Sequence, residues 1–176
     1  MNPRDVDHRV LGVALTVPEP WATDLSAARA AAGDPEAAAI PPHVTLLAPV
    51  DLDGARLDDV DAHLERVAAS HRGFRLHLRG TATFRPVSPV VFVQVVEGIA
   101  DCERLAADVR SGPLDLPARF PYHPHVTIAH AVDDESLDHA FAAMAGYEAT
   151  FPVRAFDGYV QDDDGVWHLR RSYPLG

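Results

Sequence analysis

The sequence holds one cysteine and no lysine among its 15 basic residues. A lone thiol, Cys102, cannot close an internal disulfide, and it suits a reducing compartment such as the cytoplasm. Cys102 keeps helical spacing with Ile99 and Leu105, so it reads as a core thiol rather than a nucleophile. Long apolar runs are missing as well. Met1–Arg9 is polar, with no stretch suited to a signal peptide, and nothing later approaches a membrane span. Positive charge is scarce: the net charge is −11. Proteins that grip long nucleic acids draw most of their affinity from basic surfaces, so a general nucleic-acid binder is excluded. A small nucleotide or an RNA terminus held in a local Arg or His pocket is not. Asp162-Asp163-Asp164-Gly165 is acidic but lacks the further carboxylates of a calcium loop, and it reads as a hairpin turn.

With 47% hydrophobic and 23% charged residues over 176 positions, the chain can fill a core as one domain, 1–176, built of two packed lobes. Arg9–Val17 reads as a buried strand ended by Pro18 and Pro20, and Trp21–Ala32 as a helix closed by Gly33-Asp34-Pro35. A strand over 44–52 follows. Leu57, Val60, Leu64, Val67 and Ala68 then mark an amphipathic helix. Residues 74–83 alternate as a half-exposed strand, and 90–96 form a more buried partner. Gly98 opens a third helix with Ile99, Cys102, Leu105, Ala106 and Val109 inward. A fourth begins at Asp133-Asp134-Glu135, where the helix dipole favours acids, with Leu137, Phe141, Met144 and Ala145 as its apolar stripe. Two last strands, 149–161 and 166–173, flank the acidic turn. The order predicts an α+β fold with mixed or antiparallel sheets, its two halves echoing one unit around a groove.

One phrase is written twice: His43-Val44-Thr45-Leu46 and, 82 residues on, His125-Val126-Thr127-Ile128, each after a proline-bearing approach. In a strand, alternate side chains share a face roughly 6.5–7 Å apart, so each His and Thr point one way and the apolar residues the other. Imidazoles titrate near neutrality, so one can act as base while another acts as acid. Two threonine hydroxyls can donate to oxygens gaining charge at a phosphodiester. That set performs in-line phosphoryl chemistry without a metal. Two other readings compete: a non-catalytic module binding nucleotides or RNA ends, and a metallohydrolase using His43, His123 and His125, for which zinc is the natural ion. His8, His63, His71, His77, His139 and His168 read as structural or surface residues.

The paired His-x-Thr-x phrases resemble the signature of the 2H phosphoesterase superfamily, in its 2′-5′ RNA ligase-like or cyclic phosphodiesterase-like branch. Val10–Pro18 is similar to that family's opening strand, Leu78-x-Gly80-x-x-x-Phe84 to its central segment, and Phe151–Leu175 to its closing hairpin. The resemblance implies a bilobal α+β fold with pseudo-symmetric sheets, outer helices and the motif strands facing across a central groove. It implies phosphodiesterase activity on a 2′,3′-cyclic phosphate or related RNA-end ester, reverse 2′-5′ ligation included. It further implies His43 and His125 as the acid–base pair, Thr45 and Thr127 as phosphate clamps, and no cofactor or metal. Phe84 and Tyr122 are candidates for stacking on a base or lining the pocket, with simple packing as the competing role. His130 stands where many relatives carry arginine, and it is a further pocket candidate that lacks arginine's fixed charge and bidentate contact. A monomer in the cytoplasm, without membrane attachment, is expected.

Overall fold

The computed structural model describes residues 8–176; of the polar stretch Met1–Arg9, residues 1–7 lie outside it. The chain runs β1 (His8–Thr16), α1 (Trp21–Ala31), β2 (His43–Asp53), α2 (Leu57–Ser70), β3 (Phe74–Thr83) and β4 (Val90–Glu97). It continues through α3 (Ile99–Val109), β5 (His125–His130), α4 (Asp134–Ala143), β6 (Glu148–Val153), β7 (Ala155–Gln161) and β8 (Trp167–Pro174). The fold is α+β. Its two four-stranded sheets, ordered β2-β1-β7-β8 and β5-β4-β3-β6, are antiparallel throughout. No helix among the described residues is long and apolar enough to cross a membrane.

The lobes are not the two halves of the chain. The first sheet joins β1 and β2 to the C-terminal hairpin β7–β8, whereas the second takes β3 to β6 in one run. The helices cross over as well. α1, which links two strands of the first sheet, packs on β5 of the second, and α3, which links β4 to β5, packs on β2 of the first. Trp21 of α1 meets Phe151 of β6 with ring centroids 5.5 Å apart. Each sheet is therefore covered by a helix from the other lobe's connection, and one buried cluster runs through both.

Three elements differ from the sequence reading; on α3, Ile99, expected inward at the first helical position, is 40% exposed. The span 149–161 is two strands, β6 and β7, which belong to different sheets. Its alternation slips by one at Arg154–Ala155: Phe151 and Val153 point inward before the break, Phe156 after it. Pro152 sits on β6, the edge of its sheet, where a missing amide costs no ladder bond. On α4, Leu137 and Ala140 are buried while Phe141 is 37% exposed.

The turn into α3 needs glycine. Gly98 has φ +91°, and a Cβ there would lie 2.6 Å from the Arg75 carbonyl oxygen. Left-handed backbone alone costs an L-residue about 1–2 kcal/mol. Gly98→Ala is expected to lower stability by at least that amount in urea denaturation; an unchanged midpoint would contradict the packing described.

Candidate active site

His43 and His125 each open a motif strand, and each follows a buried proline, Pro42 or Pro124. A residue ahead of proline is kept out of the helical region, so Pro41 and His123 hold their carbonyls in an extended chain. Nδ1 of His43 donates to the Pro41 carbonyl at 2.8 Å, and Nδ1 of His125 to the His123 carbonyl at 2.7 Å. A carbonyl can only accept, so Nδ1 carries the hydrogen and Nε2 holds the lone pair of the neutral ring. Neither Nε2 has a hydrogen-bond partner among the described residues.

The likeness continues along the strands. From the proline onward, 42–48 and 124–130 share one pattern: buried proline, half-buried His, buried Val, half-buried Thr, two buried residues, one exposed. The two successive buried residues mark a bulge. Thr45 pairs with Ala14 and Leu47 with Val13, leaving Leu46 as the extra residue; Thr127 pairs with Phe92 and Ala129 with Val91, leaving Ile128. A bulge adds local twist and re-aims the strand. The Thr45 and Thr127 hydroxyls make no hydrogen bond among the described residues, whereas those of Thr16, Thr23, Thr81 and Thr83 are all engaged.

β2 and β5 come from different sheets yet lie against each other. Tyr122, three residues before His125, donates its hydroxyl to the Thr45 carbonyl at 3.0 Å, and Arg110 caps its ring at 5.1 Å from the centroid. The Tyr122 ring packs against the core and its hydroxyl ties the two motif segments together. Phe84 packs on Phe92 at 4.3 Å and meets the His125 ring edge-on at 4.9 Å. His130 ends β5 opposite Val90, its side chain exposed and without a hydrogen bond among the described residues. Its pseudo-symmetric counterpart is Ala48.

Residues outside the motifs also border this region. Thr16 pairs with His43 across the strands, donates to Asp157 at 2.5 Å and shares a 2.6 Å hydrogen bond with the Tyr159 hydroxyl. Tyr159 and Trp167 line one hollow together with His43 and Thr45. Only β7 and β8 bring them there, and nothing local in the sequence marks that pairing. Among the described residues no three His, Cys, Asp or Glu side chains converge to hold a metal. His123 stacks beside His125 with centroids 6.3 Å apart.

Burial pushes both imidazoles below their ordinary value of 6.5, against the carbonyl bonds that favour the charged form. The charge of Arg29 lowers His43 further, and those of His123 and His43 lower His125.

Two sheets meeting along paired His-x-Thr strands are the architecture of the two-histidine phosphoesterases. Residues 17–165 match the 2′-5′ RNA ligase superfamily, and the chain belongs to that family. A Bacillus thuringiensis (strain Al Hakam) protein named "Putative phosphoesterase" is 26% identical over 147 residues, covering 81% of this chain and 84% of that protein. The fold is shared with E. coli LigT complexed with NADP+ (TM-score 0.71, 20% identity, 96% of this chain and 99% of that one). It is also shared with TT0787 of Thermus thermophilus (TM-score 0.63, 23% identity, 94% and 97%). At these identities the structural likeness establishes the fold alone.

Two outcomes follow for titration. By NMR, His43 and His125 are expected to titrate below 6.5, and His43→Gln to move the His125 midpoint upward by removing a like charge; a downward move would contradict the coupling. The unfolded imidazoles bind protons more readily than the folded ones, so this pair's contribution to stability is lost as pH falls from about 6.5 through the folded midpoints.

Proposed function

We propose that the protein is a metal-independent phosphodiesterase that opens a 2′,3′-cyclic phosphate on a nucleotide or RNA end, with His43 and His125 as its acid–base pair. The observation that carries this reading is the matched commitment of both Nδ1 atoms to upstream carbonyls, which leaves two Nε2 atoms open beside two unengaged threonine hydroxyls. One Nε2 takes a proton from water as the water oxygen bonds to phosphorus. The other, protonated, gives its proton to the departing ribose oxygen as that P–O bond breaks. The two rings exchange protonation states, and solvent restores them.

Burial leaves both rings neutral at pH 7 in the free protein. The negative charge of a bound phosphodiester favours the imidazolium and supplies the acid. Thr45 and Thr127 donate to the non-bridging oxygens as charge builds there. With an RNA 5′ hydroxyl in place of water, the same pair would join ends through a 2′-5′ linkage. The E. coli LigT complexes with 3′-AMP, NADP+ and ATP support a small nucleotide as ligand. The net charge of −11 fits such a ligand better than a long nucleic acid.

His43→Ala and His125→Ala are each expected to lower kcat on 2′,3′-cyclic AMP by roughly 10²–10⁴-fold while the circular dichroism spectrum is retained. Full activity in either variant would overturn the assignment. Because kcat/KM reports the free enzyme, whose two imidazoles both titrate below 6.5, its bell-shaped pH profile should peak below pH 6.5; a maximum above pH 7.5 would contradict the burial argument. A chelator should leave the rate unchanged. Loss of activity restored by zinc would favour the metallohydrolase, and binding without turnover would favour the binding module.

A further inference from the structure

The second sheet carries another set of open donors, at the edge far from the motif. β5 and β6 are its opposite edges, three strand spacings or roughly 14 Å apart. On β3 and β6, Leu76, Phe151 and Val153 turn to the core, so Arg75, Thr150 and Pro152 share the other face, with Arg154 just beyond. Arg75 stands directly opposite Pro152. Thr150 and Arg154 flank that proline, and diagonal neighbours of this kind lie roughly 7–8 Å from the residue they face. The four border an open cleft of about 700 Å³, with Phe74, Pro152 and Leu175 as its apolar wall.

These donors lack close partners. The chain has 26 acidic residues against 15 basic ones, and Arg29, Arg85, Arg104, Arg170 and Arg171 each hold a carboxylate. The Arg154 guanidinium makes no hydrogen bond or ion pair among the described residues, and the Thr150 hydroxyl makes no hydrogen bond. Arg75 reaches only Glu97, at 3.8 Å, with both side chains more than half exposed. The one carboxylate on β6, Glu148, is committed to His77 at 2.7 Å. Like charges held on neighbouring strands repel, and a bound anion relieves that repulsion. The backbone beneath is fixed. The Leu175 amide donates to the Arg154 carbonyl at 2.9 Å, and a Cβ on Gly73 would lie 3.0 Å from the Val153 carbonyl oxygen.

We infer that this cleft is a second anion site, separate from the motif strands, that takes a phosphomonoester with a small apolar body. Such an ester carries close to two negative charges at pH 7, which the two guanidinium groups match, and each planar fork meets its oxygens in pairs. The Thr150 hydroxyl donates to a further oxygen. The wall of Phe74, Pro152 and Leu175 favours an organic ester over inorganic phosphate. The site stands independently of the catalysis proposed above.

Phenyl phosphate is the probe, with inorganic phosphate and the monoanionic methyl phenyl phosphate as comparisons. In amide NMR titrations of the full chain, phenyl phosphate is expected to move Gly73, Thr150 and Arg154 saturably, and to bind more tightly than either comparison. Arg75→Gln combined with Arg154→Gln should weaken this response by about tenfold or more, while any response at the His43 and His125 amides keeps its midpoint. Glu97→Gln should tighten it by releasing Arg75. No saturable shift at the three cleft amides, or a response that the double variant leaves intact, would overturn the site. Equal affinity for the monoanion and the dianion would overturn the phosphomonoester assignment. Shifts at the motif amides alone would remove this site and leave the proposed catalysis untouched.

Discussion

An imidazole at the head of a strand is free to turn until something takes one of its nitrogens. In this chain a backbone carbonyl two residues upstream takes Nδ1 at both motifs. The carbonyl is available because a proline follows it and holds its residue extended. That single contact sets the tautomer, aims Nε2 away from the bond and reduces the side chain's freedom before any ligand arrives. The threonine two positions on shares the face, and the buried residues between them anchor the strand from behind. Val44, Leu46, Val126 and Ile128 are all at most 1% exposed. Orientation at the site is therefore a consequence of packing beneath it.

Holding two such strands together is a separate problem, because they belong to different sheets. The crossed helices answer it. α1 and α3 each sit on the sheet opposite their own connection, so moving one lobe would open the core of the other. The Tyr122 hydroxyl on the Thr45 carbonyl adds a direct tie within the motif segments themselves. Burial, which makes this arrangement rigid, is also what lowers both imidazoles. The same low-dielectric surroundings that make a charged ring costly make a phosphate's charge more effective in restoring it.

Much of this was legible along the chain, and the exceptions share a cause. The four helices and the motif strands follow from local periodicity, and the repeated His-x-Thr phrase from inspection. The break at Arg154 was hidden because alternation persists through it, slipped by one residue. The bulges at Leu46 and Ile128 leave only a second consecutive apolar residue, which a short apolar strand would also show. On α4 the buried positions are Leu137 and Ala140, and Phe141, one residue on, falls at the rim. Tyr159 and Trp167 reach the neighbourhood of His43 through the pairing of β1 with β7 and β7 with β8, a contact between chain ends that no local pattern encodes. The roles suggested for Phe84 and Tyr122 came from residue type. The structure gives each a definite partner, the His125 ring for one and a backbone carbonyl for the other.

The central claim is that both imidazoles address one phosphorus atom. A crystal structure with a nucleoside vanadate, whose five-coordinate geometry imitates in-line displacement, tests it most directly. The account predicts Nε2 of His43 and Nε2 of His125 at hydrogen-bond distance, roughly 2.6–3.2 Å, from opposite apical oxygens, with the Thr45 and Thr127 hydroxyls on equatorial ones. A vanadate touched by only one of the two rings, or seated away from both, would contradict it.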